Sequence, residues 1–456
     1  MTVDRRAFLA DLCREHLEEA SFLYSQRQQV IASEQGRWRA IGGWDERLEA
    51  HVDALVVAGD CALELSRIRA LDGEPGELFA ALCVMCRQRR ADLVSEALSR
   101  LDLLDPLRCS AAADALRFEL PPEWTGFVLD ALAREDGRLM RVLAPACGSF
   151  RIEKSMSPLI AALQNALPDA PPHELLPLIR AIGSMAVQQA IPTLIQVHRN
   201  PDADVQASAL LALLRAGVAD PSVLASFRHS GQSLPCLALA LAGGASATAA
   251  LTKVVEDGKA DSACLRALGV LGDPASLWTL CYALADADLA PAAAQALNWI
   301  TGARLVETAT VPEAVEEAAL FDAELIAWRE RGEAPRRADG TPYGESVERL
   351  SIDRPRWVDW LKGAKCLFHE QARYRSGRLY SPRVLYENLI DPNSDRHLRR
   401  IAAQELAIRY RCATAWEEDK LAPVQIVELR DIRAWLDKQG ESFEPGKWYF
   451  AGARML

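Results

Sequence analysis

Apolar residues recur at helical spacing through the middle of the chain. Leu175, Leu178, Ile179 and Ile182 form one stripe. Gly183 interrupts it, Pro192 opens the next segment, and Leu194, Ile195 and His198 continue on one side. Val205, Ala209, Leu213 and Ala216 repeat the pattern at i, i+4, i+8 and i+11. Leu265, Leu268 and Leu271 lead into Gly272-Asp273-Pro274, a stop followed by a cap and a first-turn proline; Leu277, Leu280, Cys281 and Leu284 then read as a second helix. Glycines close these runs at Gly183, Gly217, Gly244, Gly272 and Gly302, spaced 34, 27, 28 and 30 residues apart. Asp202-Ala203-Asp204-Val205 returns as Asp286-Ala287-Asp288-Leu289, 84 residues or three periods of 28 later. Paired amphipathic helices at a period near 30 predict stacked repeats, because one pair cannot bury its own apolar face. The fold class expected is all-α: a HEAT-like α-solenoid with an N-terminal helical cap and a C-terminal, mostly helical domain.

The pattern divides the chain into four parts. Residues 1–68 read as the cap, with Leu17, Ala20, Leu23 and Tyr24 on one helix and Leu48, His51, Val52 and Leu55 on another. Residues 69–303 read as repeats, clearest from about 140. Residues 304–348 read as a helix and a linker, where Gly332, Pro335, Gly340, Pro342 and Gly344 sit among charges. Residues 349–456 read as a domain rich in Trp and Arg, with helices opening at Ser381-Pro382 and over 395–411, and Trp448-Tyr449-Phe450 as a short strand or packed tail.

Composition is that of a folded chain: half hydrophobic, a quarter charged, with formal net charge −11. The charge is uneven, −15 over residues 1–326 and +4 over residues 327–456. An acidic body repels nucleic acid and attracts basic partners. Eleven cysteines without regular spacing predict buried, reduced thiols and a cytoplasmic location. The N-terminus has no apolar run suited to a signal peptide. The uncharged stretch between Arg228 and Lys253 contains Gln232, Pro235 and a glycine pair, and predicts two short buried helices rather than a membrane span.

No catalytic, cofactor-binding or metal-binding residue is assigned. Cys83-Val84-Met85-Cys86 is a lone CxxC, read as buried helix because neither a second pair nor a leading strand accompanies it. His51 and Asp53 point to different sides of a helix, so His51 reads as a packing residue rather than a ligand. Pro201-Asp202 with Asp257-Gly258-Lys259 matches a loose nuclease pattern but falls on expected turns. Arg373, Arg375, Arg378, Arg383, Arg396, Arg399 and Arg400, with Tyr374, Tyr380 and Tyr386 interleaved, form the densest basic cluster. Glu387, Asp391, Asp395 and Glu405 dilute it. The reading is a solvated or internally paired surface, with protein or nucleic-acid contact as the alternatives.

Two segments carry a family resemblance. One runs from His16-Leu17-Glu18-Glu19-Ala20 to Tyr24-Ser25-Gln26-Arg27, followed by Asp45-Glu46-Arg47-Leu48 and His51-Val52-Asp53-Ala54-Leu55. The other is Arg373-Tyr374-Arg375-Ser376-Gly377-Arg378, Ser381-Pro382 and Arg400-Ile401-Ala402-Ala403-Gln404-Glu405-Leu406. With repeats between them, the chain resembles a proteobacterial family of HEAT-like proteins encoded beside type VI secretion effectors. The family includes an immunity protein against a secreted nuclease-type toxin.

The resemblance implies a partner: a cognate secreted toxin, a protein with a basic nuclease domain. No direct nucleic acid, membrane or cofactor is implied, and self-association is left open. Aromatic and arginine residues make the strongest interface anchors, so Trp357, Trp360, Arg375, Arg378 and Tyr380 are the candidates for partner contact. Two alternatives remain: a scaffold or chaperone for loading a type VI effector, and a HEAT-like nucleic-acid-binding protein or enzyme.

Overall fold

Asp202 shows how the repeat helices begin. Its carboxylate accepts hydrogen bonds from the backbone N–H groups of Asp204 and Val205, both at 3.0 Å, and the helix Ala203–Arg215 follows. Asp286 does the same for the N–H of Asp288 (2.9 Å) ahead of the helix Ala290–Thr301. Both acidic segments thus lie at turns ahead of a helix, Asp202 as its N-cap and Asp286 four residues before the first helical residue.

The computed structural model describes residues 5–32, 38–134, 139–167, 169–218, 233–313, 315–337, 340–341, 343–414 and 416–455. Helices in chain order are α1 Arg5–Ala32, α2 Trp38–Ala58, α3 Asp60–Asp72, α4 Pro75–Arg87, α5 Ala91–Ser99, α6 Pro106–Glu119, α7 Thr125–Arg134, α8 Met140–Ser149, α9 Met156–Ala166, α10 Pro172–Met185, α11 Ile191–Val197 and α12 Ala203–Arg215. They continue as α13 Ser233–Ala242, α14 Ala245–Glu256, α15 Ser262–Leu271, α16 Leu277–Ala283, α17 Ala290–Thr301, α18 Asp322–Arg331, α19 Arg354–Ala364, α20 Pro382–Ile390, α21 Arg396–Tyr410 and α22 Ala422–Gln439. Strand structure is limited to three antiparallel pairs among the described residues: β1 Val306–Pro312 with β2 Gly344–Leu350, β3 Tyr374–Arg375 with β4 Arg378–Leu379, and β5 Tyr449–Phe450 with β6 Ala453–Arg454. The chain is all-α.

Two compact units are formed. The first holds residues 1–244 and 381–456, the second 245–380. These boundaries differ from the division at 303 and 348 expected from composition. The physical reason is that residues 381–456 share the first unit's packing: α21 lies against α12 and α13, and α22 against α2.

In the first unit α4, α6, α8, α10 and α12 pack each on the next, starting at residues 75, 106, 140, 172 and 203. This is the row of a solenoid-like stack. Small residues set its spacing. A Cβ at Gly148 would lie 2.8 Å from Ala181, and one at Gly183 would lie 2.8 Å from Ala212. Gly183 therefore does not break its helix, as the sequence suggested. The helix runs on to Met185 and is closed by Ala186 in the left-handed conformation, φ 54°. Leu17, Ala20, Leu23, Leu48, Val52 and Leu55 are buried beneath the row, as a cap requires. Cys83 and Cys86 are buried within α4.

The second unit repeats the device on its own: α15 packs on α17, where a Cβ at Gly269 would lie 2.8 Å from Ala296. Gly272 and Gly302 end those helices at φ 70° and 64°. The stretch between Arg228 and Lys253 becomes α13 and α14, with Arg228 and Gln232 outside the described residues. The expected linker at 330–348 is only partly one. Residues 344–350 are β2, paired in register with β1 from Val306↔Leu350 to Pro312↔Gly344; Pro342 lies outside the described residues.

One local module occurs twice, 75 residues apart, with the sequence Trp-Leu-x6-Phe-x5-Tyr-x2-Gly at 360–377 and again at 435–452. Trp360 packs 6.4 Å from Phe368, and Phe368 meets Tyr374 edge-on at 4.9 Å. Trp435 packs 6.2 Å from Phe443, and Phe443 meets Tyr449 at 5.1 Å. Each tyrosine hydroxyl accepts the backbone N–H five residues back, from His369 or Glu444, at 3.0 Å. Each then starts a hairpin whose turn has two positive φ values, 54° and 75° at Ser376-Gly377, and 50° and 82° at Ala451-Gly452. The turn N–H groups donate to the last carbonyls of a helix: Trp299 and Ile300 of α17 (2.7 and 2.9 Å), or Ile408 and Arg409 of α21 (both 2.9 Å). Helix ends leave carbonyls unpaired, and this module covers them.

Candidate functional site

The residues proposed for partner contact do not all face solvent. Trp357 is fully buried and donates its indole N–H to the carbonyl of Ser351 at 2.7 Å. Arg375 is fully buried and donates to the carbonyl of Val270 at 3.1 Å. Tyr380 is fully buried beneath Arg373, whose guanidinium lies 3.6 Å from the ring centroid and donates to Leu271 at 2.6 Å. These three are corrected from surface anchors to core. The C-terminus of α15 presents carbonyls at the negative end of its dipole, and guanidinium groups satisfy them. Trp360 is half-buried, and Arg378 is exposed.

The basic cluster is divided: Arg373, Arg375 and Arg399 are buried, Arg396 is half-buried, and Arg378, Arg383 and Arg400 are exposed. Arg399 is buried, donates to the carbonyl of Leu389 at 2.9 Å and stacks 4.9 Å from Trp416; burial lowers its pKa to about 10. Arg396 and Arg400 each lie 3.7 Å from Glu418. His51, expected as a packing residue, is half-buried with its Nδ1 3.0 Å from that of His16.

The first unit holds a groove of about 290 Å³ across the row of repeat helices. Cys109, Ser110, Asp114 and Arg117 line it from α6, Arg141 and Ser149 from α8, and His173, Arg180 and Ser184 from α10. Glu417 and Asp419 close one side from the loop between α21 and α22. Three arginines face three carboxylates, so the groove is balanced in charge although residues 1–326 carry a net −15.

Its charges are mostly committed. Arg117 donates to Asp419 at 2.5 and 3.0 Å and to Glu417 at 2.6 Å. Asp114 accepts from Tyr24 and Gln28, both at 2.9 Å. Behind them Arg27 pairs with Asp45 at 2.5 Å and donates to the carbonyl of Asp419 at 2.8 Å. Burial raises the pKa of Asp114. Burial would also raise that of Asp419, but the adjoining Arg117 holds it well below the usual carboxylate range. Arg141 is paired with Glu174 at 3.2 Å, whereas His173 and Arg180 are exposed. Such a surface can hold a polar segment of a partner through its serines, His173 and Arg180.

Tyr24, Arg27 and Asp45 belong to the first segment that carries the family resemblance, and Arg373 to Arg378 belong to the second. Both segments are thus structural: one fastens the loop at residue 419, the other caps α15 and α17. Sequence reading missed Arg117 and Asp419 because they are 302 residues apart. Charged residues on the alanine-rich face of α6 were the available signal. Among the described residues no cluster of three metal-ligating side chains occurs, and no helix is long and apolar enough to cross a membrane.

Fold and groove together define an all-α protein of solenoid-like helix stacks. Beyond that class, a scan of protein-family models finds no match, and neither does a search of curated proteins.

Proposed function

We propose that the protein binds and neutralises a secreted nuclease-type toxin, acting in the cytoplasm as its immunity protein. The observation that carries the binding half is the groove spanning α6, α8 and α10. It is an open surface laid across three successive repeats, the kind of surface through which repeat proteins engage extended partners. Arg117 and Arg141 in it are already paired within the chain. Phosphate binding draws on cations able to release counterions, so this groove favours a protein partner over nucleic acid. The nuclease half rests on the family resemblance and on the net charge of −11, which attracts a basic domain.

Co-expression with the effector encoded by the neighbouring gene tests the proposal. Cells making both proteins should grow, cells making the effector alone should not, and the two should co-purify. Equal survival without this protein contradicts it. An effector that stays toxic but depends on this chain for secretion would point to the loading chaperone instead.

A further inference from the structure

Residues 302–350 hold two seven-residue strands and a ten-residue helix, yet none of the described residues in this span is buried. A lone two-stranded ribbon is marginal in water, and so is a short isolated helix. The ribbon is tied down near its base, where Ser351 donates to Leu305 at 2.8 Å and Arg356 to Val306 at 2.7 Å. Large apolar side chains stand in water along it: Val311 at 41% exposure, Phe321 at 80%, Ile326 at 54% and Tyr343 at 43%. Leu325 and Trp328 on α18 are only half-covered.

The charge of the same segment selects what can cover these groups. Residues 306–350 contain eleven carboxylates against five arginines, a net of −6 out of −11 for the whole chain. More than half of the net charge therefore lies on about a tenth of the length. A second copy would set one acidic arm against another, whereas a basic protein surface with apolar pockets complements both the charge and the side chains.

We infer that this arm is a docking element for a basic protein domain, with Phe321 and Ile326 as its apolar anchors and the flanking carboxylates as its steering charge. The inference rests on the toxin reading above and assigns that partner a surface. It adds a second contact to the groove across α6, α8 and α10, and it takes the place of the tryptophan and arginine residues around 357–380.

The test measures affinity of the full-length chain for the purified effector of the neighbouring gene, with Phe321→Asp/Ile326→Asp beside the wild type. The double variant should melt at the wild-type temperature, because neither side chain is buried. It should bind at least about thirty-fold more weakly, the scale of losing two anchors. Reversing Glu313, Glu316 and Glu317 to lysine should lower the association rate. If the wild type binds and the double variant binds within threefold of it, the arm inference is overturned and the toxin reading stands. If the wild type does not bind, both fall. If the variant instead converts a dimer to a monomer while keeping effector affinity, the arm joins copies of this chain and the inference is wrong.

Discussion

Arg117 on α6 and Asp419 on the loop after α21 meet through two hydrogen bonds, 2.5 and 3.0 Å long, across 302 residues of sequence. The pair pins the C-terminal segment to the repeat row. Arg117→Met should lower stability by about 1–3 kcal/mol in denaturant unfolding. That is less than the 3–5 kcal/mol typical of a fully buried pair, because the Asp419 side chain is 42% exposed and water screens it. The pH sign follows from the depressed Asp419 pKa. The contribution is fully present above the unfolded value near 3.8 and is lost as pH falls through the folded one. An unchanged midpoint at neutral pH would mean the loop is held by other contacts.

Close approach along the repeat row gives a second prediction. Gly183→Ala gains helix propensity of about 1 kcal/mol but forces a Cβ to within 2.8 Å of Ala212. Overpacking of that kind costs about 1–3 kcal/mol, so the variant should be destabilised, and Ala212→Gly in the same chain should restore part of the loss. Leu213→Ala and Leu268→Ala remove fully buried side chains and should each cost about 2–5 kcal/mol. A Gly183→Ala variant at least as stable as wild type would show that the helices separate easily.

The duplicated module predicts parallel effects at two places. Tyr374→Phe and Tyr449→Phe each remove one hydroxyl that accepts a 3.0 Å bond from the backbone five residues back. Each should cost about 0.5–1.5 kcal/mol. Amide exchange should rise in the adjoining hairpin, at Ser376-Gly377 in one variant and Ala451-Gly452 in the other. Exchange that rises everywhere, or nowhere, would separate the tyrosines from the turns they precede.

The His16–His51 contact predicts acid sensitivity in the N-terminal cap. Burial, and then the neighbouring His16 and Arg47, lower the His51 pKa, opposed by Glu19 and Glu15. The unfolded chain then takes up the proton first. Stability should fall as pH drops below about 6.5 and continue to fall until the folded pKa is passed. His51→Gln should make the melting temperature less steep in pH between about 7 and 5. An unaltered slope would assign the acid response to other groups.

The helix pairs were legible because an amphipathic stripe with glycine and proline punctuation is a local signal. Asp202, Gly272-Asp273-Pro274, Ser381-Pro382 and the left-handed Gly302 all do what their positions imply. Gly183 was misread because its partner Ala212 lies in the next repeat. Arg375 was misread because the carbonyl it donates to, on Val270, is more than a hundred residues upstream. Trp357 and Tyr380 were misread although partners lie close in sequence, at Ser351 and Arg373, because an aromatic residue reads alike as core or as surface anchor. The strand 344–350 left no trace because neither of its faces is buried, so no alternation marks it. The twofold Trp-Leu-x6-Phe-x5-Tyr-x2-Gly spacing was present in the chain and is the signal that identifies the capping module.

The central claim is that the protein silences a toxin by occupying it, and one titration addresses it most directly. Nuclease activity of the purified neighbouring effector is followed as this protein is added at effector concentrations well above the dissociation constant. Neutralisation by complex formation predicts a linear fall to baseline that breaks at a fixed molar ratio, with Phe321→Asp/Ile326→Asp needing a large excess. Full nuclease activity in the presence of excess wild-type protein would contradict the account.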